Sequence, residues 1–222
     1  MLRSLVLVSL SLLTLVTASR ADAKCMSTAE WLVTEQVAGP TPSIVVAVYA
    51  MSKTRPTITF ELVGPKGERI ALRETARHSG WRTDHVVYVP TKPLTPGTYD
   101  VRGGRDALAL QVVPASDTPL TAPTLKVLPA EIQQFGCGPA ENLRLAVSGD
   151  ATLAFVTLRD DVGVTTGYAT IDDERVLAIG HGMCAGMWFP EVGKRYTIEV
   201  QLVDPSGKLS PPTKVQASFD PK

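Results

Sequence analysis

His181, Met183, Cys184 and Met187 fall within seven residues of one glycine-containing stretch, His181-Gly182-Met183-Cys184-Ala185-Gly186-Met187. An imidazole, two thioethers and a thiol form a soft donor set of the kind that suits Cu(I), and the glycines would let a loop wrap an ion. The same residue types also fill cores, and a disulfide would remove the thiolate. A second set lies around Trp81, where Arg77, His78, Arg82 and His85 surround one indole. Such a set reads as an exposed amphipathic loop between strands that is able to touch a ligand. A third set, Asp160-Asp161 and Asp172-Asp173-Glu174, brackets a hairpin through Val164 and Tyr168. Its carboxylates could hold Ca²⁺ only if the two ends meet, and acidic residues at turns are more often solvated.

The chain has three cysteines. In an oxidising compartment three thiols allow one disulfide and leave one over. The expected pair is Cys137 with Cys184, which would close a long loop in the second half and contribute about 4 kcal/mol by the chain-entropy estimate. Cys25 is then the odd residue. The chain has no Gly-x-Ser-x-Gly elbow, no His-Glu-x-x-His pair and no phosphate-cradling glycine loop. No catalytic residue, cofactor-binding residue or metal ligand is assigned, and the expectation is a protein that is not an enzyme and needs no cofactor.

The elements that must position these residues are strands. Ile58, Phe60 and Leu62 alternate with polar neighbours, as do Leu108, Leu110 and Val112, then Leu143, Leu145 and Val147, then Tyr196, Ile198, Val200 and Leu202. A period of two indicates antiparallel sheets with one buried face. Turns separate the runs at Gly64-Pro65-Lys66-Gly67, Ser148-Gly149-Asp150 and Asp204-Pro205-Ser206-Gly207. Helical periodicity is confined to a short segment, Ser27 to Val37.

The first residues have the form of an export signal. Arg3 precedes an apolar run from Leu5 to Val16, and Ala21-Asp22-Ala23 offers a small-x-small cleavage site. The run is short for a membrane span. The expectation is cleavage after residue 23, a product beginning at Lys24, and a periplasmic or extracellular location without a membrane span. Twenty-two basic and twenty-two acidic residues balance, so the chain has no electrostatic reason to bind nucleic acid. A proline-containing stretch, residues 115–123, divides the rest into 24–114 and 124–222.

Tyr196-Thr197-Ile198-Glu199-Val200, followed by Asp204-Pro205-Ser206-Gly207-Lys208 and Ser210-Pro211-Pro212, resembles the end of a fibronectin type III or related Ig-like module of secreted bacterial proteins. Pro93-Leu94-Thr95-Pro96-Gly97-Thr98-Tyr99 resembles the entry to a tyrosine-led strand in bacterial Ig-like domains. The resemblance implies a tyrosine corner at Tyr99 and another at Tyr196, each hydroxyl bonded to nearby backbone. The N-terminal histidine and the histidine-bearing loop of the periplasmic copper-binding sandwich type are missing, so copper chemistry does not transfer through the first half. The expected fold is all-β, with two tandem antiparallel Ig-like or fibronectin type III-like β-sandwiches after a signal peptide. The expected function is a non-catalytic interaction or structural module. It would meet a protein or cell-surface partner through strand edges or through the loops at 77–82 and 179–187. The alternative is a periplasmic copper binder using the 181–187 loop.

Overall fold

The computed structural model describes residues 28–52, 56–116 and 118–221. The expected signal peptide and Cys25 lie outside the described residues. Among the described residues there are fifteen strands and no helix.

The first half contains β1 (Thr28–Leu32), β2 (Gln36–Ala38), β3 (Ile44–Ala50), β4 (Glu61–Val63), β5 (Arg69–Ser79), β6 (Thr83–Pro90), β7 (Gly97–Arg102) and β8 (Leu108–Val113). They form one eight-stranded sheet in the order β1-β3-β6-β5-β4-β7-β8-β2. The sheet curls because β5 serves both ends of it. Its first residues pair with β4 and its later ones with β6, with a register shift between Glu74 and Ala76. A bulge of this kind bends the strand and increases its twist. The curled sheet encloses Ile44, Val46, Val48, Phe60, Leu62, Val86, Tyr88, Tyr99 and Leu110.

The segment expected to be helical is two strands instead. β1 pairs antiparallel with β3, and β2 runs parallel to β8. The reason lies in β3, Ile-Val-Val-Ala-Val-Tyr-Ala, whose seven residues are all buried. A strand buried on both faces needs backbone partners on both edges. β6 supplies one and β1 the other, so tertiary pairing overrides the weak local helical pattern.

The second half has two sheets. β9 (Leu125–Phe135), β10 (Gly138–Val147) and β13 (Val176–His181) form one, in the order β13-β10-β9. β11 (Leu153–Arg159), β12 (Val164–Thr170), β14 (Arg195–Val203) and β15 (Thr213–Ser218) form the other, in the order β12-β11-β14-β15. Leu143, Leu145, Leu177 and Ile179 from the first sheet pack with Val156, Leu158, Ile198, Val200 and Leu202 from the second. Each such aliphatic side chain contributes roughly 1.5–3 kcal/mol on burial.

Both tyrosines that open alternating runs form the expected corners. The Tyr99 hydroxyl donates to the Thr95 carbonyl at 3.1 Å and accepts from the Thr95 N–H at 3.2 Å. The Tyr196 hydroxyl accepts from the Glu191 N–H at 2.8 Å. Each bond ties the start of a strand to the backbone just before it.

A third apolar cluster lies between the halves. Val33, Val45, Ala47 and Val87 of the first meet Leu153 and Val203 of the second, with Phe155 and Tyr168 packed alongside. β3 therefore sends Ile44, Val46 and Val48 into its own core and Val45 and Ala47 onto its neighbour.

Candidate functional site

The turn from β5 to β6 is where the first half reaches the second. Gly80 N–H donates to the Thr83 carbonyl at 3.0 Å, and Arg82 adopts a left-handed φ of 57°, so the chain reverses in a tight hairpin. The reversal drives Trp81 against the β13 end of the second half. Its N–H donates to the Met187 carbonyl at 3.0 Å. The Trp81 and His181 ring centroids lie 4.5 Å apart, and Phe189 stacks on His181 at 4.9 Å and 9° while also touching Trp81 at 5.0 Å. Arg82 lies over the Trp81 ring, 4.5 Å from its centroid, a cation–π geometry. Thr83, fully buried, accepts the Gly186 N–H at 3.1 Å through its hydroxyl.

Close approach here depends on glycine. A side-chain carbon on Gly80 would collide with the Met187 carbonyl and lie 2.8 Å from its sulfur. A side-chain carbon on Gly167 would lie 2.7 Å from Met187 Cγ and 3.1 Å from His85 Nδ1. At Gly80 the obstacle is backbone, so that close approach needs glycine, whereas at Gly167 the Met187 side chain would have to shift.

His78 and His85 sit directly opposite each other in the β5–β6 ladder. Both face β12, the outermost strand of its sheet. His85 Nδ1 accepts the Tyr168 N–H at 2.9 Å, and His78 Nδ1 is 2.8 Å from the Thr166 hydroxyl. The Tyr168 ring makes edge contacts with His78 and with Phe155. Burial holds His85 at about 4, well below an ordinary histidine; the adjacent His78 adds to this and Asp84 opposes it. Burial also lowers His78. Arg77 is ion-paired to Asp84 at 3.0 Å and to Glu74 at 2.8 Å, and the Glu74 hydrogen bond leads the causes that hold its guanidinium protonated.

All three histidines of the chain thus lie at one junction. The two segments expected to be exposed loops for an outside partner are packed on each other. Hairpin 77–82 is held by backbone and ring contacts to the 179–187 segment, whose His181 is 4% exposed and Met187 3%. Farther along the interface, the Ala38 N–H donates to the Pro205 carbonyl at 2.6 Å. A cleft of about 500 Å³ opens beside the apolar contact, lined by Thr34, Val45, Leu153, Tyr168 and Val203 among others.

Three of the four soft donors have other partners. His181 Nδ1 lies 2.8 Å from the Gly182 carbonyl and Nε2 lies 3.3 Å from Glu141 Oε2. Met187 belongs to the core of the second half, and the Cys184 sulfur is in a disulfide. The disulfide corrects the expected pairing. Cys137 is exposed and free at the tip between β9 and β10, so it is not the partner of Cys184. Phe135, beside the tip, is exposed as well.

The acidic clusters stand at opposite ends of β12. Asp160 caps its own turn, accepting the Val162 and Gly163 N–H groups at 2.9 and 2.8 Å. Asp172 accepts the Val176 N–H at 2.7 Å. Among the described residues no group of three or more His, Cys, Asp or Glu is placed to hold a metal ion.

Sequence reasoning grouped His78, Trp81 and His85 but placed His181 in a separate set. It missed Thr83, Thr166 and Tyr168, whose residue types carry no signal of their own. It also missed Gly80 and Gly167. A glycine inside strand β12 is the one local mark of a close backbone approach.

No family model matches this chain, and no curated protein matches it. Among solved structures, it is similar to a pullulanase from Anoxybacillus sp. LM18-11 complexed with maltotriose, at 11% identity and a TM-score of 0.31, over 82% of this chain and 24% of that one. A type I pullulanase from Bacillus subtilis str. 168 complexed with maltose gives 15% identity and a TM-score of 0.27, over 87% and 25%. The chicken CNTN1 FN1–FN3 domains give 11% identity and a TM-score of 0.30, over 84% and 63%. The chain spans about a quarter of the length of either pullulanase. Scores this low carry no argument about function, and the strand pairing itself is the basis for the fold.

Proposed function

We propose that this chain is an exported, non-catalytic interaction or structural module. In this reading it consists of two Ig-like or fibronectin type III-like sandwiches locked into one unit. The order β1-β3-β6-β5 followed by β4-β7-β8-β2, with its first strand divided between two partners, supports the Ig-like reading of the first half. The two tyrosine corners support it for both halves.

The observation that carries the functional reading is the use made of the reactive side chains. The histidines, Trp81, Met187 and Cys184 are engaged in joining the halves or in a covalent bond. What faces outward instead is a group of apolar side chains at one end of the second half. Val162 is 80% exposed, Val192 66%, and Val164 and Phe189 just under half. The 160–164 stretch and the 189–194 segment that carry them are linked through Lys194, whose Nζ lies 3.8 Å from Asp160 and 3.0 Å from Glu191. Exposed apolar side chains grouped in this way mark contact surfaces.

The test is site-directed photo-crosslinking in the exporting cell. A crosslinker at Val162 should give a discrete protein adduct, and one at the exposed Glu174, at the opposite end of β12, should not. Equal adducts at both positions, or none at Val162, would remove the interaction reading. Labelling of the purified protein by a broad serine-hydrolase probe would replace it with an enzymatic one.

A further inference from the structure

We infer that His85 and His78 form a proton-operated latch, in which the neutral rings close the free edge of β12 and the charged rings release it. An outermost strand presents unpaired N–H and C=O groups, and native proteins cover such edges. Here the cover comes from the other half of the molecule. The Tyr168 N–H, directed away from the β11 ladder, is accepted by His85 Nδ1.

The hydrogen bond fixes the chemistry. To accept from the Tyr168 N–H, Nδ1 must be unprotonated. A second proton places an N–H against an N–H, so the bond becomes a repulsion and the strand amide loses its acceptor. His78 responds less directly, because the Thr166 hydroxyl can either donate or accept.

The groups around the pair leave little to stabilise a charge. On β5 and β6 they are His78 and His85 themselves, with Arg77 committed to Asp84 and Glu74. From the second half they are Thr166, Tyr168, Phe155 and Trp188. Two imidazolium groups directly opposite in one ladder would also repel each other.

The sign follows from the depressed value of His85. Closure is fully favoured above the ordinary histidine range and weakens as pH falls from about 6.5 toward about 4. With a released His85 titrating near 6.5, the released fraction rises about twenty-fold between pH 7 and pH 5.

The experiment is hydrogen exchange of the full chain at pH 7 and pH 5, read as protection factors for the Tyr168 amide and for the Val156 amide inside the ladder. Wild type should lose Tyr168 protection by at least ten-fold at pH 5 while Val156 stays protected. His85→Gln, which keeps an acceptor and cannot titrate, should hold Tyr168 protected at both pH values. An NMR titration of wild-type His85 keeps the test decisive if that variant does not fold, and its midpoint should lie well below 6. Equal loss in wild type and His85→Gln, simultaneous loss at Tyr168 and Val156, or an ordinary His85 midpoint would each overturn the latch.

Discussion

Trp81 and His181, a hundred residues apart in the chain, meet with ring centroids 4.5 Å apart. One belongs to a hairpin of the first half and the other to the last residue of β13 in the second. Phe189 is 5.0 Å from Trp81 and 4.9 Å from His181, so the three rings form one cluster. Trp81→Ala removes two aromatic contacts worth roughly 0.5–1.5 kcal/mol each, plus part of an indole's burial. The expected cost is about 2 kcal/mol in urea-induced unfolding. Limited proteolysis of the folded variant should cut first between residues 114 and 124, where the described residues form no strand.

The two corners give a sharper comparison. Tyr196→Phe keeps the ring but leaves the Glu191 N–H without its acceptor. The loss of such a partner costs about 1–3 kcal/mol. Tyr99→Phe should fall in the same range, since it removes bonds to both the N–H and the carbonyl of Thr95. Chemical denaturation of the two variants measures both values. A loss below about 0.5 kcal/mol at either position would mean that the hydroxyl is not a structural tie.

Two glycines offer a controlled test of backbone contact. Gly80→Ala would force a carbon onto the Met187 carbonyl, and a backbone atom yields less readily than a side chain. Overpacking of this kind costs about 1–3 kcal/mol. Gly163→Ala meets nothing within 4 Å and should change stability by no more than about 0.5 kcal/mol. Thermal unfolding of both variants separates a contact effect from a general effect of adding a methyl group.

Alkylation without reduction should label Cys137 and leave Cys184 unlabelled. Non-reducing peptide mapping should then find Cys184 in a disulfide-linked peptide that does not contain Cys137. A linked Cys137–Cys184 peptide, or a label on Cys184, would contradict this arrangement.

How far the fold was legible depended on the kind of signal. Alternation at Leu143-Leu145-Val147 and at Tyr196-Ile198-Val200-Leu202 located strands because one face of each is buried and the other is not. The tyrosine corners are local, each hydroxyl reaching backbone four or five residues upstream, so a short motif was enough to expect them. The junction was not legible in this way. Its contacts join residues more than 80 positions apart, such as His85 with Tyr168 and Thr83 with Gly186. Nothing in a local pattern pairs them. The continuous apolar run Ile44–Ala50 did hold a trace of the junction, because a strand with no polar face needs a cover on each side. The cysteine pairing failed for a related reason. Three thiols permit three pairs, and no local pattern selects among them.

The cover over β12 also sets an order of assembly. The edge belongs to the later part of the chain, and the side chains that close it belong to the earlier part. A chain that emerges from its N-terminus can complete the β5–β6 hairpin before β12 exists, so the strand meets its cap as it forms. A circular permutant that makes the second half first would leave that edge bare during synthesis. Bare edges recruit strands from neighbouring chains, and such a permutant should aggregate on expression although every native contact remains available to it.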